Sequence, residues 1–210
     1  AQGTGLSLFQ EAHRARFFDV GIAEPHAVTF CAGLAKAGYI PVFAVYSSFL
    51  QRSYDQILHD GALQGRKIVL GIDRAGIVGE DGETHQGVFD TAFLSSIPGI
   101  TVYAAIDYPH LRRMMHRALY EVPGIAAIRY PRGAAPTLPA GYSTEEQRPG
   151  RDWLFFGDGA KIALVTYGRT TAAAAHARES LRAAGKSADL FVISRIHPLP
   201  EDLTPALLSY

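Results

Sequence analysis

Short runs of consecutive apolar residues alternate along this chain with longer stretches in which apolar positions recur every three or four residues. The runs fall at 17–20, 40–46, 67–73, 100–104, 125–129, 161–167 and 188–193. They are rich in β-branched and aromatic residues, and several contain no polar interruption. Strands buried on both faces read this way, as in a parallel sheet covered by helices. Helical spacing occupies 25–36, 48–63, 108–120 and 170–184. Pro25 suits a first helical turn, Ser48 suits a cap, and Gly38 and Gly185 suit helix stops. The alternation predicts an α/β fold, a mostly parallel sheet with helices on both faces.

The rhythm breaks at 134–152, where Pro136, Pro139, Gly141, Pro149 and Gly150 interrupt any apolar period. This predicts a first unit over 1–133, a linker over 134–152 and a second unit over 153–210. The second unit has only one clear βαβ pattern, thin for an independent domain. The first strand run follows closely on Ala1, and the chain opens without Met. Both features predict a piece of a longer protein.

Composition narrows the function classes. Among 210 residues, 20 basic and 20 acidic side chains cancel. No global pull toward nucleic acid or an anionic membrane follows. A hydrophobic fraction of 48% and a charged fraction of 19% are those of a globular chain. A lone cysteine, Cys31, excludes an internal disulfide framework and a multi-cysteine zinc site. No apolar run reaches the ~18 residues of a membrane-spanning helix, and no signal peptide is visible. A reducing compartment, the cytoplasm, is expected.

Candidate chemistry sits where strand runs give way to helices, the edge at which open α/β sheets bind ligands. Glu24 stands at the head of a helix, flanked by Ile22, Ala23 and Pro25. A partly desolvated carboxylate there suits proton exchange with a nitrogen base. The plainer reading is a first-turn acid facing the helix dipole. Tyr46, Phe49 and Arg52 open the next helix, offering an aromatic surface and an anion-binding cation; alternatively Phe49 is core and Arg52 solvated. The segment 73–87 gathers four glycines with Asp73, Arg74, Glu80, Asp81, Glu83 and His85, the make-up of a functional loop. A metal set of Asp81, Glu83 and His85 is a weaker alternative. Arg129 and Arg132 close a strand and suit a phosphate or carboxylate clamp. Gly157-Asp158-Gly159 looks like the start of a metal-diphosphate motif. The chain contains no asparagine to complete one, so a hairpin turn between 153–156 and 161–165 is expected.

In this order, FFDVGIAEPHAVTF, YSSFLQRSYDQILHD, IDRAGIVGEDGETHQGVFD and IRYPRG resemble the 1-deoxy-D-xylulose-5-phosphate synthase family of transketolase-like thiamine diphosphate enzymes. The resemblance covers 16–133 almost without interruption. It implies most of a pyrimidine-binding domain, followed by part of a transketolase C-terminal domain. The family joins pyruvate to D-glyceraldehyde 3-phosphate with loss of CO2, feeding isoprenoid, thiamine and pyridoxal precursors, and its members are homodimers. Glu24 then matches the acid that bonds N1′ of the aminopyrimidine, and Phe49 the aromatic stacked on that ring. Asp81 and His85 match polar groups facing the reacting carbons. Tyr46, Arg52, Arg74 and Arg132 match positions that bind the acceptor, chiefly its phosphate. Pro25 departs from the family's usual glutamine. The resemblance also implies thiamine diphosphate and Mg2+, the metal held by a domain absent from these 210 residues. This chain itself is expected to hold no metal and to be inactive alone. Two other readings remain open: a transketolase-like or 2-oxoacid dehydrogenase β-type subunit completed by a separate chain, and a non-catalytic assembly module on the same scaffold.

Overall fold

The structure, a computed structural model, describes residues 2–145 and 150–210. Residues 146–149 of the expected linker, Pro149 among them, lie outside that description. A 3₁₀ turn (Gln2–Thr4), α1 (Ser7–Ala12) and a second 3₁₀ turn (Arg14–Arg16) precede α2 (Glu24–Lys36) and β1 (Val42–Tyr46). An irregular helical run follows: α3 (Ser47–Leu50), a 3₁₀ turn (Gln51–Ser53), α4 (Tyr54–Gln56) and a π turn (Ile57–Ala62). Then come β2 (Ile68–Asp73), a 3₁₀ turn (Glu83–His85), α5 (Asp90–Ser95), β3 (Thr101–Ala104), α6 (Tyr108–Tyr120) and β4 (Ile125–Arg129). The remaining elements are β5 (Trp153–Phe156), β6 (Ala163–Tyr167), α7 (Thr170–Ala183), β7 (Asp189–Ile193), β8 (Arg195–His197) and α8 (Leu203–Leu207).

The strands form a five-stranded sheet in the order β1-β2-β4-β3-β8 and a three-stranded sheet in the order β5-β7-β6. Strands β1 to β4 run parallel, and β8 joins β3 antiparallel. Alternate residues of the central strands face opposite layers. Ile68, Leu70, Ile72, Ile125 and Ala127 pack with Val28 of α2, Leu50 of α3 and Leu94 of α5. Val69, Ala126 and Ile128 pack with Met114 and Ala118 of α6. Burial on both faces explains why β2 and β4 read as unbroken apolar runs. In the second sheet, Leu190 and Val192 pack with Ala175 of α7, and Phe191 packs with Leu203 of α8. The α/β class with a mostly parallel sheet and helices on both faces is therefore present.

Several local expectations are corrected. Residues 17–20 are not a strand. Phe18 instead lays its ring 5.2 Å from Phe30 of α2, and the chain then turns at Gly21 (φ +68°), whose N–H bonds Asp19 Oδ1 at 3.0 Å. Residues 157–159 are not a hairpin turn, because β7 lies between β5 and β6. That loop wraps the Asp189 carboxylate, which accepts the N–H groups of Asp158, Gly159 and Ala160 at 2.9–3.1 Å. Ser48 caps nothing: the helical run begins at Ser47. Its π turn places Gly61 against Ile125, where a Cβ would come within 2.7 Å of Cδ1.

The two sheets share side chains. Ile106, just past β3, sits among Tyr142, Leu154 and Leu190. The buried Asp152 carboxylate pairs with Arg117 of α6 and, at 2.8 Å, with Arg195 of β8. His110 Nδ1 accepts the Ile106 N–H at 3.3 Å, which leaves the Nε2 hydrogen for Ser194 Oγ at 3.0 Å.

Candidate active site

Three neighbouring parallel strands end on one side of the sheet. Tyr46 closes β1, Arg74 follows β2, and Arg132 lies just beyond β4. Carboxyl ends of adjacent parallel strands form the crevice where such sheets bind ligands. Helix α2 delivers Glu24 as its first residue. Pro25, lacking an N–H, fits the first turn without losing a helical bond. The carboxylate sits at the positive end of the helix dipole and is buried, with a side-chain exposure of 7%.

One continuous set of contacts links all eight candidate residues. Arg52 Nη1 donates to Glu24 Oε1 at 2.9 Å, and its guanidinium lies 4.7 Å from the Phe49 ring centroid. The Phe49 ring is 5.1 Å from His85, and His85 is 5.7 Å from Tyr46. The Arg74 guanidinium lies 4.1 Å over the Tyr46 ring. Arg74 Nε donates to Asp81 Oδ2 at 3.0 Å, and Arg132 Nη1 donates to Asp81 Oδ1. The guanidiniums of Arg52, Arg74 and Arg132 are thus joined to Glu24 through one run of contacts. Each is matched by acid: Arg74 also pairs with Asp73, and Arg132 Nη2 lies 3.4 Å from Glu80. The Gly3 carbonyl accepts from Tyr46 Oη at 2.9 Å and Arg74 Nη1 at 3.1 Å.

The glycine-rich loop owes its path to backbone needs. Arg74 adopts φ +58°, a conformation few non-glycine residues take. Gly76 and Gly87 exchange N–H···O bonds of 2.7 and 2.9 Å, closing the loop at its base. Gln86 braces the interior, accepting from Val78 N at 2.7 Å and donating to Gly82 O at 2.9 Å. Gly87 lies so close beneath Arg74 that a Cβ would meet its carbonyl oxygen at 2.2 Å. Below the loop, Arg129 does not reach the crevice. Nε and Nη2 donate to Asp90 Oδ2 and Oδ1 at 2.8 and 3.0 Å. The carboxylate that Arg129 clamps is therefore the chain's own. Burial pushes the neighbouring Tyr130 phenol up to about 12.

Sequence reasoning missed Gly3 and Asp90. A buried arginine demands a charged partner, but nothing in the spacing points 39 residues back to Asp90. The alternative metal set is not assembled: Asp81 faces the arginines, and His85 Nδ1 lies 2.8 Å from Thr84 Oγ1. No group of three His, Cys, Asp or Glu placed to hold a metal occurs among the described residues.

Chemically, the cluster offers a buried carboxylate, an aromatic pair in contact with a histidine, and three guanidiniums. The guanidinium of Arg52, flat and N–H donating, lies between Glu24 and Phe49. A flat heterocycle with an N–H or protonated nitrogen makes the same two contacts.

Known proteins are similar to this chain. The model of the transketolase pyrimidine binding domain matches residues 1–137. The 1-deoxy-D-xylulose-5-phosphate synthase of Chlorobium luteolum is 47% identical over 205 residues, 98% of this chain and 32% of the relative. That of Clostridium acetobutylicum is 46% identical over 200 residues, covering 95% and 32%. The chain therefore spans about a third of these curated relatives' length. Among solved structures, a split-gene transketolase described as an inactive β4 tetramer superposes with a TM-score of 0.83 at 27% identity, covering 98% of this chain and 66% of that one. A transketolase variant from Pichia stipitis, at 20% identity and a TM-score of 0.77 over 90% of this chain and 28% of that one, shares the fold. By residues 1–137 this chain belongs to the transketolase pyrimidine binding domain family, and along nearly its whole length it is similar to 1-deoxy-D-xylulose-5-phosphate synthases.

Proposed function

We propose that this chain is the pyrimidine-binding portion, with the start of the C-terminal domain, of a 1-deoxy-D-xylulose-5-phosphate synthase. The division at 1–133, 134–152 and 153–210 belongs to this reading. So do pyruvate and D-glyceraldehyde 3-phosphate as substrates, a homodimer and a cytoplasmic location. What supports it most is the single run of contacts that links Glu24, Phe49, His85 and three guanidiniums.

The residues fit thiamine diphosphate. Glu24 and Phe49 already hold one flat N–H donor, the Arg52 guanidinium. In the same helical run, the buried hydroxyls of Ser47, Ser48 and Ser53 have no hydrogen-bond partner. When bound, the cofactor supplies the electron sink that lets pyruvate lose CO2. Glu24 holds the proton at N1′ of its aminopyrimidine and so sets the tautomer. Phe49 presents its ring to the heterocycle and keeps water from it. His85 moves a proton at the oxygen of the reacting carbonyl. Asp81 fixes Arg74 and Arg132, which with Arg52 and Tyr46 orient the acceptor by its phosphate. The diphosphate and Mg2+ are assigned to residues beyond these 210.

The test is Glu24→Gln in the full-length enzyme. Its melting temperature is expected to stay within a few degrees of the parent, while kcat falls by at least ~100-fold. A near-parental rate overturns the assignment. A second reading, a two-chain enzyme, draws on the split-gene transketolase likeness. The intact mass of the native polypeptide separates the two: about three times 22.7 kDa supports the single-chain synthase.

A further inference from the structure

We infer that the buried Arg129–Asp90 pair is a positioning device that holds the glycine-rich loop shut and so places Asp81 and His85. The inference rests on the reading that those two residues face the substrate. Four observations carry it. The pair is bidentate, with bonds of 2.8 and 3.0 Å, and its residues are only 8% and 1% exposed. Arg129 Nη2 also reaches the carbonyl of Gly87 at 3.4 Å. That same carbonyl accepts the Gly76 N–H, the bond that closes the loop. Gly87 in turn packs beneath Arg74, whose guanidinium holds Asp81.

A buried ion pair contributes little net stability compared with an apolar pair of similar volume. An arginine spent at the end of the central strand β4 is better explained by geometry. Its planar fork fixes two directions at once, toward α5 and toward the loop base. The Tyr167 ring of β6 lies 5.8 Å from the guanidinium, so the second sheet helps enclose it.

The test uses the full-length enzyme. Asp90→Leu and Arg129→Met are introduced together, which removes the pair without stranding a charge. Arg129→Lys alone keeps the charge but loses the fork. Three quantities are read: amide exchange over 76–87, kcat, and KM for pyruvate. In the double variant, exchange at Gly76 and Gly87 is expected to quicken at least tenfold while β2 and β4 stay protected. The kcat is expected to fall at least 30-fold with KM within threefold, and Arg129→Lys to lie between. A purely structural pair predicts parental kcat and loop protection in the folded double variant, and that result overturns the inference. If the double variant does not fold, Arg129→Lys decides: parental kcat and loop exchange overturn the inference, and losses in both uphold it. His85→Ala is measured alongside. A full rate there overturns the reading of His85, while the exchange data still decide whether Arg129 closes the loop.

Discussion

At the scale of single residues, the sequence exposes the groups that the proposed chemistry would use but not the groups that hold them. Glu24 and Phe49 stand out in the first turns of helices, and Asp81 and His85 stand out in a loop dense in glycine and charge. Asp90 does not, because its partner is reached only through the tertiary fold. Arg129 was legible as a clamp, though not as one turned inward. His110 is a comparable hidden case. Burial, with a smaller contribution from Arg113, pulls its imidazole down from 6.5 to about 4. The folded state therefore keeps it neutral where the unfolded chain takes up a proton. Stability from this group is fully present above about 6.5 and is lost as pH falls toward 4. The span is worth on the order of 3 kcal/mol. Denaturant titrations from pH 7 to 4.5 are expected to show this loss, and His110→Gln to flatten the slope. An unchanged slope in that variant sinks the account.

At the scale of elements, consecutive apolar positions made the buried strands readable, since both faces of β2 and β4 are covered. Strand β8 was not readable: Arg195-Ile196-His197 offers one apolar residue and pairs with β3 more than 90 positions away. The 17–20 run misled because its phenylalanine covers a helix rather than entering a sheet. The turn at 157–159 misled because local spacing cannot show that β7 intervenes. There the requirement is a close approach to Asp189: a Cβ on Gly157 would lie 2.3 Å from Oδ1. Burial alone would raise Asp189, but the Tyr210 hydroxyl and three amides outweigh it and hold the carboxyl below its ordinary value. Gly157→Ala must disturb that arrangement. It is expected to cost about 2 kcal/mol, seen calorimetrically as a Tm lower by roughly 4–8 °C. A Tm within a degree of the parent would count against it.

At the scale of the whole molecule, the expected linker leads into a shared body rather than a loose tether. Ile106, His110 and Asp152 each join one sheet to the other. Urea unfolding is therefore expected to be a single transition. Trp153, the only tryptophan, lies in the second sheet and reports on it by fluorescence, while far-UV circular dichroism reports on both. Midpoints that differ by more than experimental error would show that the sheets unfold separately. The three guanidiniums of the candidate site face four carboxylates, those of Glu24, Asp73, Glu80 and Asp81, in a chain of zero formal net charge. On the proposed function, a phosphorylated triose diffusing toward these residues would meet no long-range attractive field from the chain's net charge. Capture on that reading would begin at collision, with the ester displacing a resident carboxylate from its guanidinium. Encounter would then be governed by exchange of partners at the guanidiniums, and dissolved salt would have little to screen.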